Sequence, residues 1–273
     1  MASDLSGKVA FITGVARGQG RSHALRLARE GVDIIGVDIC QNIPSMEYPN
    51  SSLSDLEETA RLVEAEGGRI LAEVGDVRDQ PALQKVVDAG LAEFGRIDIV
   101  LANAGIVRFH EDDPATEWKD IIDVNLTGVW NTCRATIPAL VNGGRGGSIV
   151  MTSSTTGIKG TGTPNAGVQA YSAAKRGLVA LMQVFALELA PHSIRVNTIH
   201  PTGVASGMTQ NDAIERLISE GDSPWMEAMM TNALPVDSLE PKDVSDAIAW
   251  LVSDGAKYVT GVQLPVDAGF IIR

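Results

Sequence analysis

Val9-Ala10-Phe11-Ile12-Thr13-Gly14, continuing as Val15-Ala16-Arg17-Gly18-Gln19-Gly20, is the stretch on which the fold turns. The unbroken apolar run predicts a strand buried on both faces. The glycines predict a tight turn into a helix with Ala24, Leu25, Leu27 and Ala28 along one side. Strand, glycine turn and helix N-terminus together present free backbone N–H groups to a phosphate, and glycine leaves room for it to approach. The spacing is Gly14-x-x-x-Gly18-x-Gly20; the GxGxxG pattern fails because His23 takes the place of its last glycine.

Outward from that turn, a second apolar run ends in Asp38. A carboxylate there accepts hydrogen bonds from the adenosine ribose hydroxyls and repels a 2′-phosphate, which favours NAD over NADP. Arg17, a cation inside the glycine turn, argues the other way, and Asp38 weighs more. Residues 40–54, with Pro44, Pro49 and several serines and asparagines, form a loop longer than the usual connection. It reads either as a solvated insertion or as a flap over the adenine end of a bound cofactor.

The chain then alternates. A helix over 56–66 precedes a strand over 69–74 that ends in Gly75-Asp76-Val77; a helix from Pro81 to about Phe94 precedes a strand over 97–101, closed by Asn103-Ala104-Gly105. A helix over 116–140 carries Asn125, a strand over 148–152 ends at Ser153-Ser154, and the next helix holds Tyr171 and Lys175. Strands over 194–199 and 263–266 complete about seven. This alternation predicts one α/β domain over 1–273: a Rossmann fold, doubly wound and parallel, with helices on both faces.

Composition excludes several classes. A net charge of −12 disfavours nucleic acid and anionic membranes as partners. No run approaches the ~20 apolar residues of a membrane span, and the N-terminus does not read as a signal peptide. Cys40 and Cys133 build no disulfide framework, which suits the cytoplasm. His23, His110, His192 and His200 are scattered, and no cluster has metal-ligand spacing, so no metal is expected.

Tyr171 and Lys175 are one helical turn apart on one face. An ammonium beside a phenol favours the phenolate and lowers its pKa, which would make Tyr171 a proton acceptor near neutral pH. A serine hydroxyl at the same point could hold an alcohol or carbonyl oxygen. Ser154 is the candidate, with Ser153 its rival.

With Gly14-x-x-x-Gly18-x-Gly20, Asn103-Ala104-Gly105, Asn125, Ser154 and Tyr171-x-x-x-Lys175 in this order, the whole chain resembles the short-chain dehydrogenase/reductase superfamily. The glycine-turn segment, Val37-Asp38-Ile39-Cys40 with its insertion, and the run from Thr260 to Phe270 resemble the actinobacterial, carveol dehydrogenase-like branch. That branch is associated with the redox cofactor mycofactocin and holds NAD so that it exchanges poorly with solvent.

The resemblance implies that Gly14, Arg17, Gly18, Gln19 and Gly20 surround the pyrophosphate and adjacent ribose. Asp38 would bind the adenosine ribose, Asp76 and Val77 the adenine, and Asn103 and Gly105 would flank the cofactor. Tyr171 would be the acid/base, Ser154 would orient the substrate oxygen, and Lys175 would hold the nicotinamide ribose and lower the Tyr171 pKa. Asn125 would position a relay water, while Val204 and Ser206 would meet the nicotinamide carboxamide. The reaction implied is NAD-dependent interconversion of a secondary alcohol and its ketone, in a homotetramer.

Residues 206–234, with four methionines and Trp225, read as a lid. Phe109 and Trp225 suggest an apolar cyclic substrate, or else belong to ordinary packing. A 3-oxoacyl-thioester substrate would want a basic patch near the lid, which supplies mainly Arg216. A non-catalytic nucleotide-binding protein is the alternative of another kind.

Overall fold

The structure, a computed structural model, describes residues 5–160, 163–219 and 231–273. Strands β1 (Val9–Thr13), β2 (Asp33–Asp38), β3 (Ile70–Val74), β4 (Ile99–Ala102), β5 (Gly147–Thr152), β6 (Ile194–Pro201) and β7 (Gln263–Val266) form one sheet. Their order is β3-β2-β1-β4-β5-β6-β7, and every pairing is parallel. The order reverses between β1 and β4, so a crevice opens at their carboxyl ends, where such sheets bind ligands.

The helices are α1 (Gly18–Ala28), α2 (Leu53–Ala65), α3 (Gln80–Phe94), α4 (Pro114–Ile122), α5 (Gly128–Gly143), α6 (Ala166–Leu189), α7 (Asp212–Ser219) and α8 (Pro241–Val252). Alternate strand residues face opposite sides. Phe11, Ile35, Val100, Ile149 and Val196 pack with α3, α5 and α6, whereas Ala10, Ile12, Ile34, Leu101 and Ile199 pack with α1, α2 and α8. This is the doubly wound Rossmann architecture expected. Among the described residues, no helix is long and apolar enough to cross a membrane.

Two local features position the site. Asn165 caps α6, its side chain accepting from Val168 N at 2.8 Å, and so sets where the helix carrying Tyr171 and Lys175 begins. The helix expected over 116–140 is divided: α4 and α5 are joined by a π-turn, Asp123–Thr127, that contains Asn125. The extra residue in that turn rotates Asn125 into the interior, where it is fully buried.

The sequence reading assigned no helix to Pro241–Val252, although Pro241 stands at the first turn and Glu240 with Asp243 forms a capping box. Of the expected lid, α7 is a regular helix, and Trp225 lies outside the described residues. His23, out of place in a glycine motif, is buried between α1 and α8 with Nδ1 2.8 Å from Ser245 Oγ. Burial pushes its pKa down to about 3, so it packs as a neutral ring.

Candidate active site

The glycine turn is shaped by its neighbours. Gly14 has φ +70°, and a Cβ there would lie 2.9 Å from Ala104 Cα; Gly18 has φ +56°. A Cβ on Gly20 would lie 1.9 Å from the Gly14 carbonyl oxygen. Gly20 is therefore needed for helix α1 to approach the turn. Thr13 Oγ1 accepts from the N–H groups of Asn103 and Ala104 at 3.0 and 3.1 Å, binding the ends of β1 and β4 together.

Above this floor lies a cleft of about 920 Å³, its open mouth included. Gly14, Arg17, Gly18, Gln19, Asp38, Asp76, Val77, Asn103, Gly105 and Ser206 all line it. The Asp38 carboxylate accepts from Ala16 N at 2.9 Å and from the Ser51 hydroxyl. The Asp76 carboxylate is gripped by Arg78, with contacts of 2.7–3.1 Å, so its charge is already partnered. The Gln19 side-chain oxygen is buried without a partner where this cleft meets the next. An orphaned acceptor, a carboxylate at the cleft floor and the bare backbone of the turn fit a dinucleotide with free ribose hydroxyls.

The insertion 40–54 packs on the protein. Ile43, Tyr48 and Ser51 are buried, and Ile43, Tyr48, Asn50 and Ser51 line the cleft. Arg17 donates to the Pro49 carbonyl at 2.6 Å and so ties the glycine turn to the insertion. Tyr48 Oη accepts from Val107 N at 3.2 Å, and Glu47 accepts from Phe109 N at 2.8 Å. The insertion is thus packed along the cleft rather than standing free in solvent.

A second cavity, about 1570 Å³ with its mouth included, adjoins the first. Gln19, Asn103, Gly105, Ser206 and Met208 line both. Ser154, Tyr171 and Lys175 form one wall, and Val107, Phe109, Val168, Ile214 and Phe270 supply apolar surface. The Ser154 hydroxyl lies close enough to Tyr171 to lower its pKa. The rival hydroxyl of Ser153 donates to the Lys175 carbonyl at 2.8 Å and is committed there.

The expected electrostatics are reversed. Lys175 Nζ lies 5.4 Å from the Tyr171 ring centre and donates to the Thr152 carbonyl at 2.7 Å. Burial raises the Tyr171 pKa, and the Ser154 hydroxyl opposes that rise. Burial also pulls Lys175 down to about 7. Helical spacing brings the two groups near each other, but desolvation disfavours both charges, and that effect wins.

Asn125 is held through both ends of its amide. Its Oδ1 accepts from Ile106 N at 2.8 Å and its Nδ2 donates to Ile106 O at 2.7 Å. The side-chain amide thus clamps the strand end beside Gly105 while keeping a second N–H and a second lone pair. Val204 is buried, its carbonyl accepting from Thr209, and it lines the second cavity with Ser206.

Sequence reasoning missed Tyr48 and His200. His200 is fully buried on β6 directly behind Ser154, and Tyr48 sits in a loop; neither forms part of a motif.

A crevice at the reversal point of a parallel sheet, opening onto a Ser–Tyr–Lys wall, defines a dinucleotide-dependent oxidoreductase. A family model described as Enoyl-(Acyl carrier protein) reductase matches residues 14–271. An uncharacterized oxidoreductase of Mycobacterium tuberculosis is 52% identical, the match covering 98% of this chain and 97% of the relative. The (-)-trans-carveol dehydrogenase of Rhodococcus erythropolis is 46% identical over 98% and 99%. The crystal structure of carveol dehydrogenase from Mycobacterium avium in complex with NAD is 47% identical with a TM-score of 0.91, over 99% of this chain and 100% of that one. The chain belongs to the short-chain dehydrogenase/reductase family, in the branch that holds these carveol dehydrogenases.

Proposed function

We propose that this oxidoreductase uses NAD to interconvert an apolar, cyclic secondary alcohol of the carveol kind and its ketone, with Tyr171 as the acid/base. The observation that carries this reading is that Ser154, Tyr171 and Lys175 line one wall of an apolar cavity, next to a cleft suited to a dinucleotide. Bound NAD would supply the acceptor for the hydride leaving the alcohol carbon. Tyr171 takes the hydroxyl proton in oxidation and returns it in reduction. Ser154 holds the substrate oxygen, and Lys175 sits behind the phenol, placed to bind the nicotinamide ribose.

The cavity suits an uncharged substrate. Among the described residues that line it, only Lys175 and Asp237 are charged, and Lys175 is engaged with Thr152. That leaves no cation for the phosphates of an acyl-thioester carrier, so the 3-oxoacyl-thioester reading is the weaker. A non-catalytic nucleotide-binding role has no need of a polar triad in an apolar pocket.

The insertion, tied down at Arg17, Val107 and Phe109, would retain NAD and leave its recycling to an external carrier of the mycofactocin kind. Trp118, Trp130, Val184 and Leu187 are exposed apolar side chains on α4, α5 and α6 that support assembly into a homotetramer. Both cysteines are free, as a cytoplasmic protein requires.

The test begins with nucleotide released from denatured, purified protein, which should be NAD or NADH. A panel of cyclic secondary alcohols starting with carveol is then offered together with an artificial electron acceptor. Tyr171→Phe should lower turnover by ~10²–10⁴-fold while the nucleotide stays bound. Full turnover in that variant would remove Tyr171 from the mechanism. Bound NAD with no oxidation of any panel member would return the non-catalytic reading.

A further inference from the structure

Ser154 can orient a substrate oxygen only if its own backbone is held still. It lies two residues beyond β5 in extended conformation, and its carbonyl oxygen accepts from two donors: Gly157 N at 2.9 Å and His200 Nδ1 at 2.8 Å. The first closes the turn Thr155–Gly157, and the second comes from the neighbouring strand β6. A carbonyl oxygen only accepts, so Nδ1 of His200 carries the hydrogen. The other ring nitrogen, Nε2, lies 2.8 Å from Thr198 Oγ1. Burial first, and then the charges of Lys175 and Arg176, push the His200 pKa below its ordinary value, so the ring is neutral and Nε2 accepts the Thr198 hydroxyl proton.

The tautomer is therefore determined by its two partners, and the ring cannot turn over without breaking both bonds. We propose that His200 is a positioning residue: Thr198 orients its ring, and its Nδ1–H holds the Ser154 carbonyl so that the Ser154 hydroxyl stays aligned with Tyr171. This rests on the proposed function for its kinetic consequence but not for its geometry. The Ser154 hydroxyl opposes the burial-driven rise of the Tyr171 pKa. Loosening Ser154 therefore weakens the hold on substrate oxygen and also makes the phenol harder to deprotonate.

Two variants separate positioning from packing. His200→Asn can place its amide N–H where Nδ1–H lies, whereas His200→Leu fills the space without donating. With carveol and an artificial acceptor, His200→Leu should lose ~10-fold or more in kcat, since misplacement by about 1 Å can cost ~10²-fold. The midpoint of its rising pH–rate curve should move upward, and His200→Asn should recover most of both. A substrate-free measurement runs in parallel: the pH-dependent rise in tyrosinate absorbance, with the Tyr171→Phe curve subtracted, should shift to higher pH in His200→Leu and return in His200→Asn.

Unchanged kcat and an unchanged tyrosinate curve in a folded His200→Leu protein would overturn the proposal. So would equal impairment of both variants. If the parent protein oxidises no alcohol, the proposed function falls, and the absorbance comparison alone decides the role of His200.

Discussion

Lys175 is 3% exposed, and burial brings its pKa from 10.5 to about 7. At 1.36 kcal/mol per tenfold change in proton affinity, that fall corresponds to about 5 kcal/mol of unfavourable burial of the ammonium. An amine whose folded pKa lies below its unfolded value binds fewer protons when folded. The penalty is complete below pH 7 and fades as pH rises toward 10.5. Lys175→Met removes the charge and keeps the chain length, but leaves the Thr152 carbonyl without its 2.7 Å partner. That orphaned acceptor costs about 1–3 kcal/mol at any pH. The nucleotide-free variant should thus be more stable than its parent by about 2–4 kcal/mol at pH 6, while losing activity. Near pH 10 it should be level with the parent or less stable by up to ~2 kcal/mol. Urea unfolding of both proteins at pH 6, 8 and 10 measures the difference. A variant no more stable than its parent at pH 6, or a difference that does not change with pH, would refute the reasoning.

Gly20→Ala places a Cβ 1.9 Å from the Gly14 carbonyl, backbone against backbone, so helix and turn must separate. Stability should fall by about 1–3 kcal/mol and NADH binding should weaken by ~10-fold or more, read from thermal melts and fluorescence titration. Arg17→Ala removes the 2.6 Å bond to the Pro49 carbonyl that tethers the insertion. Nucleotide should then dissociate about 5–10-fold faster, as seen by how much survives gel filtration, with unfolding stability nearly unchanged. Equal retention in that variant would free Arg17 of the role.

The sheet was legible because each buried strand announces itself locally. Runs such as Val9–Thr13 and Ile194–Pro201 need no distant partner to be recognised, and glycines mark the turn that follows β1. The Ser–Tyr–Lys set was legible because helical spacing puts Tyr171 and Lys175 on one face. What stayed hidden depends on contacts far along the chain. Tyr48 meets Val107 and His200 meets Ser154 only after folding, so neither has a local signature. The π-turn around Asn125 adds one residue to a helix without changing its composition. The direction of the Tyr171 shift follows from burial, which a four-residue spacing does not report.

The insertion joins two functions that the sequence presents separately. Glu47 and Tyr48 receive the N–H groups of Phe109 and Val107, and those two residues also line the substrate cavity. Ser45 reaches further, its carbonyl accepting from Arg108 at 2.6 Å and its hydroxyl donating to Asp120 on α4 at 2.5 Å. Lifting the insertion to release nucleotide therefore means freeing the 107–109 backbone and reshaping the substrate wall. On the proposed reading, a substrate packed against Val107 and Phe109 would stabilise this arrangement and so hold the nucleotide more firmly. By thermodynamic reciprocity, bound nucleotide would strengthen the hold on substrate by the same factor. On that reading, cofactor retention and substrate recognition would draw on one set of hydrogen bonds.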